Sequence, residues 1–543
     1  MRLFLKTSKA GRRLLFSALL LSAVFLFVGA RTQTSPIGTA AADVPQSCTS
    51  IMVGRLASTD GSVMTSHTCD GNYRTWVNIV PAAKPGEGAK TKVYAGLLHT
   101  ETPWDTQGVA EKGEVPQAAE TFAYLNTAYP CLNEHQLAIG ESTIGGRREL
   151  RNPDGKLYIE EIERLMLERC RTAREAIKLA GELVKTYGYG DDGECIAIAD
   201  PKEVWHFEIF GPGLGKPGAV WAAVRIPDDE VGVAANIPRI SELDLKDPDR
   251  FLASDNVTGL AEQKKWWDSK SGQPFKFWKA YNGEKPFSIR EYYILSTLAP
   301  SLNLKADAEE LPFSVKPQKK LSPRDLLKYF RETYAGTDLD ATKNLMVKDR
   351  GSDQLVKSAV ASPWMSRDLI TLLNTIKPGV VDAKRTIAIA GCSYATVLQC
   401  RGWLPDQVGG LCWFSFDNPA LSPRIPIFAG VKELPAGFEN CAQHRYRTDS
   451  ACWFFRRANR LATVRWGAAQ PYVETARTEL EDKAFSELPD VERKALEILK
   501  AKDGGPEACA KFLTSYSGDF ARAAMRKYWE LGDTFWGLFA RGF

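Results

Sequence analysis

The sequence predicts an α+β fold, a layered sandwich of sheets and helices built as one elaborated domain. Three observations carry this. Strand-like runs begin at Cys48 and recur across residues 195–236. Two helical faces in succession interrupt them over residues 159–184. From about Ser450 onward the pattern is helical. A chain of 543 residues, 44% apolar and 25% charged, is long enough and apolar enough to bury a sizeable core.

The N-terminus comes first. Arg2, Lys6, Lys9, Arg12 and Arg13 precede an almost wholly apolar run from Leu14 to Val28. Small residues follow at Gly29-Ala30 and again at Ala40–Ala42. This pattern is a secretory signal peptide over residues 1–30. The apolar run is about 15 residues, shorter than the ~20 that span a bilayer, which argues against a retained anchor. Residues 31–47, rich in Thr, Ser, Pro, Gly and Ala, form a flexible tail or propeptide. The expectation is a periplasmic or secreted protein that meets the membrane only through its signal peptide.

The ordered chain opens with a hairpin. Cys48–Leu56 is one strand, Ser58-Thr59-Asp60-Gly61 the turn, and Ser62–His67 the second strand. Residues 81–120 are rich in Pro and Gly and read as loop. Leu137–Ile144 is a buried strand. Ile159, Ile162, Leu165 and Met166 share one helical face, and Ala173, Ala176, Ile177, Ala180, Leu183 and Val184 share the next. Thr172 with Glu175 is a capping box for that second helix. Two strand pairs follow, Cys195–Ala199 with Val204–Phe210 and Val220–Arg225 with Val231–Asn236. Helices are expected at Ser288–Leu298, Ser322–Tyr334 and Ser366–Ile376, the first two with well-formed N-terminal caps. Strands are expected at Thr386–Ile389 and Gly410–Phe416. No internal repeat or firm boundary divides residues 48–543, which are expected to form one catalytic domain with insertions.

Several function classes are disfavoured. The 70 basic and 66 acidic residues balance too closely for a nucleic-acid surface. No CxxC pair or HExxH motif is present, and Asn133-Glu134-His135 has no second ligand four residues on. No metal and no cofactor are therefore expected. No convincing G-x-S-x-G elbow supports a serine nucleophile. Each of the histidines at 67, 99, 135, 206 and 444 is compatible with a structural role. Eleven cysteines leave at least one unpaired within the chain, and export would permit bridges among the rest.

A cysteine at a chain start needs less machinery. Its α-amine, with a reference pKa of ~7.7–8, can take the thiol proton and return it to the leaving group. Cys48 fits if the chain is cut just before it. By position alone, a buried strand thiol and a lipoprotein cysteine compete with this reading, although Val44-Pro45-Gln46-Ser47 is a poor lipobox.

Downstream segments carry a resemblance. Cys48-Thr-Ser-Ile-Met-Val-Gly54 with Ala57-Ser-Thr-Asp-Gly-Ser-Val-Met64 resembles the mature start of the dipeptidase A and secernin-type cysteine peptidases. So do Asn133–Thr143 and Val233–Ile240, and so do Arg401–Pro405, Val408–Trp413 and Ser450–Phe455. The resemblance implies the N-terminal-nucleophile fold, two stacked antiparallel sheets between helical layers. It also implies hydrolysis of dipeptides through an acyl-enzyme, with small peptides as partners and a homo-oligomer left open.

Residue roles carried over from the family are Cys48 as nucleophile, Asp70 beside the cysteine or its amine, and Asn236 as an amide donor to the oxyanion. Glu141, Ser142 and Thr143 form a substrate-facing stretch. Distant acylase relatives carry an arginine where His67 stands here, and Arg239 or Arg401 is the expected replacement. His67, Glu141, Thr143, Arg239 and Arg401 are thus candidate substrate contacts. An N-acyl amide hydrolase of the penicillin or bile-acid type is an alternative on the same fold. A secreted, non-catalytic binding protein is another.

Overall fold

A computed structural model describes residues 47–284 and 286–542. The expected signal peptide and residues 31–46 of the tail lie outside the described residues. Two large antiparallel sheets organise the chain. The seven-stranded sheet runs Ser314–Val315, Val231–Ala234, Ser50–Val53, Val63–Asp70, Cys392–Cys400, Leu411–Phe416, Ile425–Phe428. The eight-stranded sheet runs Phe251–Ala253, Val220–Arg225, Val204–Phe210, Gly193–Ala199, Ala138–Ile144, Leu132–Asn133, Tyr124–Asn126, Asn78–Val80. The α+β class expected from the sequence is the class observed.

The sheets face each other where Val63–Asp70 crosses Ala138–Ile144 and Gly193–Ala199. All residues of these three strands are buried except Thr143, which is half-buried. Stacked sheets ordinarily lie ~10 Å apart. Here the backbones come closer, because residue 140 is a glycine. A Cβ at that position would stand 2.2 Å from the Ser66 carbonyl oxygen. Beside this contact, Ser50 Oγ donates to the Glu141 carbonyl at 2.9 Å, and His67 Nδ1 lies 2.8 Å from the same oxygen. The close approach lets side chains of one sheet hydrogen-bond the backbone of the other.

Helices cover both outer faces. Ile159–Arg169 and Ala173–Tyr187 lie on the eight-stranded side, and the Thr172–Glu175 capping box is formed. Ala451–Val464, Trp466–Lys500 and Pro506–Leu538 lie on the seven-stranded side. Trp413 of the sheet stacks on Phe485 of the long helix with centroids 4.1 Å apart. Among the described residues, no helix is long and apolar enough to cross a membrane.

The structure departs from the sequence reading in several places. Val220–Arg225 does not pair with Val231–Ala234: it pairs with Val204–Phe210 in the eight-stranded sheet, and the turn after it carries the chain to the seven-stranded sheet, where Val231–Ala234 pairs with Ser50–Val53. Residues 81–120 contain a hairpin, Lys90–Ala95 with Ala110–Pro116. Only Val93 and Val115 of its strands are buried, and pairs such as Lys92–Glu111 at 2.8 Å hold the strands, so no apolar alternation marks them. Thr386–Ile389 is not a strand, since the Ala388 N–H goes to Glu332 of a neighbouring loop. The strand begins later, at Cys392–Cys400, and is buried throughout although Ser393, Tyr394, Thr396 and Gln399 interrupt its apolar run. The helix expected to reach Tyr334 ends at Tyr329, and Tyr334 itself is left-handed with φ 62°. All eleven cysteines are buried, unpaired thiols.

Gly140→Ala is expected to destabilise the protein by about 3 kcal/mol, the upper end for overpacking, because the added carbon meets backbone that cannot rotate away. Denaturant unfolding of the variant checks this, and a loss below about 1 kcal/mol contradicts it.

Candidate active site

Cys48 sits at the entry of the strand Ser50–Val53, in the middle of the seven-stranded sheet. Backbone contacts to Val63–Asp70 fix it on both sides. Ser47 N–H donates to the Asp70 carbonyl at 3.0 Å, and Thr49 N–H to Thr68 Oγ1 at 2.9 Å. The Cys48 side chain is fully buried. Burial pushes its thiol well up, and the charges of Glu141, Cys69 and Asp70 act in the same direction. Such a thiol is protonated near neutrality and needs a base at the moment of attack.

Asp70 is the last residue of its strand and is fully buried. Oδ2 accepts from Thr68 Oγ1 at 2.9 Å and from Arg385 Nη2 at 2.7 Å. Oδ1 has no partner. Arg385 also reaches the residue before the nucleophile. Nη2 donates to the Ser47 carbonyl at 2.6 Å and Nε to Ser47 Oγ at 3.0 Å.

Arg290, in the first turn of the helix Ile289–Leu298, is the second arginine. Nη1 donates to the Cys48 carbonyl at 2.6 Å, to Thr49 Oγ1 at 2.9 Å and more weakly to the Ser47 carbonyl at 3.5 Å. Nη2 donates to the Ala235 carbonyl at 2.9 Å and to Asn236 Oδ1 at 2.8 Å. One guanidinium thereby joins the nucleophile to the candidate oxyanion amide.

Asn236 is left-handed with φ 67°, a conformation asparagine tolerates better than most residues. Its N–H donates to Ser142 Oγ at 2.9 Å and its Nδ2 to the Thr143 carbonyl at 2.6 Å. An amide NH2 has two hydrogens, so one remains for a ligand. Asn236 and Thr143 line a cleft of about 290 Å³, with Arg147, Arg151, Asp191 and Asp192 also on its wall. Burial holds the Asp191 carboxyl above the usual carboxylate range. Behind Asn236 the loop is fixed by Glu208. Its Oε1 accepts from the backbone N–H groups of Arg239 and Ile240 and lies 2.7 Å from His206 Nε2.

His67 does not end its strand as expected. The strand continues to Asp70, and His67 pairs with Thr396 in its interior. A carbonyl oxygen only accepts, so His67 Nδ1 donates to the Glu141 carbonyl, and Nε2 keeps its lone pair with no partner. Burial holds the ring pKa down and the ring neutral. Glu141 is fully buried; Oε1 accepts from Thr143 Oγ1 at 2.9 Å, while Oε2 has no hydrogen-bond partner. Cys48 Sγ, a His67 ring nitrogen and a Glu141 carboxylate oxygen lie within 4.8 Å of one another. Among the described residues this is the one group with the donor spacing of a metal site.

Cys48, Asp70, His67, Glu141, Thr143 and Asn236 therefore converge. Arg239 and Arg401 do not. Arg239 is buried with its guanidinium on the carbonyls of Pro286, Leu311 and Pro312. Arg401 follows Cys400, which pairs with Val63, whereas Asp70 pairs with Cys392. Seven strand steps of ~3.4 Å separate those two ends. Arg401 is spent on Glu492 and the carbonyls of Val408 and Gly409. Neither replaces the arginine of distant relatives; Arg290 and Arg385 stand near the nucleophile instead. A local signal did mark Arg290, since a cation in a helix first turn opposes the helix dipole and needs a reason. Nothing local marks Arg385.

The chain is similar to known peptidases over most of its length. The sequence model of peptidase family C69 matches residues 47–479, beginning one residue before the buried thiol. A probable dipeptidase of Latilactobacillus sakei is 24% identical over 438 residues, 78% of this chain and 82% of that protein. A probable dipeptidase B of Lactococcus lactis subsp. lactis is 25% identical over 442 residues, 75% and 79% of the two chains. Dipeptidase A of Lactobacillus helveticus is 23% identical over 409 residues, 72% and 77%. On this match the chain belongs to peptidase family C69, the cysteine-type peptidases that include these dipeptidases.

Proposed function

We propose that this protein is an exported dipeptidase of the N-terminal-nucleophile type, with Cys48 as nucleophile once the residues before it are removed. The observation that carries this reading is the Ser47–Cys48 peptide group. Its buried thiol opens a central strand, and the carbonyls on either side of Cys48 are each held by a guanidinium, Arg385 on Ser47 and Arg290 on Cys48. The order helix, sheet, sheet, helix supports the fold that such enzymes use.

Cutting before Cys48 frees its α-amine. Asp70 Oδ1, buried and without a partner, is placed to hold that amine as it cycles between neutral and protonated forms. The neutral amine takes the thiol proton as sulfur attacks the substrate carbonyl, and returns it to the departing amine. The free amide hydrogen of Asn236 faces the developing oxyanion. Water then hydrolyses the thioester. Loss of Ser47 also leaves Arg385, still paired with Asp70, facing the vacated carbonyl position. The walls of the adjoining cleft carry both Arg147 and Arg151 and both Asp191 and Asp192. A cleft lined by charged groups of both signs suits a free dipeptide better than an acyl amide with an apolar tail. Self-removal of the preceding segment by the same thiol belongs to this reading.

Cys48→Ala is expected to lower dipeptide hydrolysis at least ~10³-fold, while chelators leave the native enzyme active. Intact-mass analysis of the exported protein should place its first residue at Cys48. A start well before Cys48 in active protein overturns the assignment.

Asn236→Asp keeps the acceptor for Arg290 but removes the donor. It should lower kcat by ~10²–10³-fold with a small effect on KM. Steady-state kinetics on a dipeptide panel decide this.

The rate should depend on pH through the amine. The neutral form is the base, so kcat/KM rises with pH and is lost as pH falls through the amine pKa. The nearby Asp70 carboxylate favours the ammonium and moves that midpoint above the free-amine value of ~7.7–8. A pH–rate profile measures the midpoint, and Asp70→Asn should move it down.

A further inference from the structure

We infer that His67 is the proton acceptor for releasing Cys48, a step that precedes turnover; the inference rests on reading Cys48 as a nucleophile that frees its own amine. In the uncut chain the base used in turnover does not yet exist. The nitrogen of Cys48 is then an amide shared with Ser47, and an amide nitrogen has no basic lone pair. The thiol is nevertheless buried and holds its proton tightly. Some other group must take that proton.

The groups around Cys48 can be weighed in turn. Arg290 and Arg385 are cations and cannot accept. The Cys69 thiol is itself pushed up by burial. Asp70 has one oxygen shared between Arg385 and Thr68, and it is not a member of the group whose donor atoms lie within 4.8 Å of one another around the thiol. Glu141 has one oxygen committed to Thr143 Oγ1, and its other oxygen lies 3.7 Å from His67 Nδ1. His67 is different. Its Nδ1 hydrogen is committed to the Glu141 carbonyl, so Nε2 is basic, buried and unpartnered. One of the His67 ring nitrogens lies within 4.8 Å of the thiol sulfur, a span that a single water bridges.

The electrophile is equally well placed. Attack of Sγ on the preceding carbonyl carbon closes a five-membered ring, so chain connectivity alone brings the atoms together. The Ser47 carbonyl oxygen already receives Arg385 at 2.6 Å and Arg290 at 3.5 Å, the cations that its developing negative charge requires.

The thiol proton passes through water to His67 Nε2 while the S–C bond forms at Ser47. The C–N bond to Cys48 then breaks, and its nitrogen takes the proton back from His67. The product is a Ser47 thioester on Cys48 with a free amine. Water hydrolyses it, aided by that amine, to a Ser47 carboxylate and the free thiol. His67 ends neutral, as it began.

The test is cell-free synthesis of the full chain without membranes or signal peptidase, followed by intact-mass analysis over time. The native chain should release a fragment ending at Ser47. His67→Gln, which retains a donor for the Glu141 carbonyl but is not a base, should slow that release at least ~100-fold while the thermal unfolding transition stays cooperative. The native release rate should also fall as pH drops through the His67 titration, below ~6.5, and residual release in the variant should lack that inflection. If the variant does not fold, His67→Asn and the pH profile of the native chain decide. Release at the native rate in a folded variant, or a native profile without that inflection, overturns the role of His67. A native chain that stays uncut removes the step altogether. A separately produced chain starting at Cys48 then shows whether the dipeptidase reading survives: hydrolysis by that chain keeps it, and inactivity ends it.

Discussion

The site depends on one buried guanidinium. Arg290 bonds the Cys48 carbonyl, Thr49 Oγ1, the Ala235 carbonyl and Asn236 Oδ1. These lie at the neighbouring ends of two paired strands, just before Ser50–Val53 and just after Val231–Ala234, and the arginine comes from the helix that packs on the second. Burying a charge costs several kcal/mol unless partners replace its water. Here carbonyl and side-chain oxygens replace it. Burial lowers the Arg290 pKa only to about 10, so the group stays charged near neutrality. Lysine could not substitute, because a point charge cannot serve four oxygens in a plane.

The helix that carries Arg290 is fixed by its own N-terminal chemistry. Glu291 Oε2 accepts from Ser288 N–H at 2.6 Å and from its hydroxyl, closing a capping box. Its other oxygen accepts the Ala235 N–H at 2.9 Å, one residue before Asn236. The cap therefore orders the helix and the oxyanion loop together. Glu208 repeats the device three residues on, through the N–H groups of Arg239 and Ile240. Asn236 is held in its left-handed conformation from both sides, which suits a donor that must be aimed before substrate arrives.

These links explain what was legible in the sequence. The Ser288–Glu291 and Thr172–Glu175 boxes are local signals, and both helices begin where the boxes place them. Val204–Phe210 and Val220–Arg225 were legible because short, mostly apolar runs bounded by turns fit buried strands. Cys392–Cys400 was not, since its polar side chains bond across the sheet or to other layers, as Gln399 does to Trp413 and Asp60. Cys48 and Asp70 were singled out through the family motif, and the structure brings them together. Arg385 was not, because it acts across more than 300 residues of sequence and its segment has no regular structure. Arg239 and Arg401 were attractive as arginines near matched motifs. Register alone separates Arg401 from the site, and register is a property of the assembled sheet.

The remaining question is why the nucleophile should be so hard to ionise. Cys48 lies among Asp70, Glu141 and Cys69, all of which oppose a thiolate, and Glu194 and Glu163 stand behind Glu141. A standing thiolate would be the better nucleophile but also the better target for oxidation, which follows thiolate character and exposure. In a protein read as exported, that hazard is continuous. A thiol kept buried and protonated resists it, and all eleven cysteines here are buried. The consequence is that reactivity must come from a base acting only during attack. In the proposed mechanism the unpartnered His67 Nε2 meets that need before the cut, and the α-amine beside Asp70 meets it afterwards. One constraint, a thiol that never rests as an anion, thus accounts for the carboxylates around Cys48 and for a separate base at each stage.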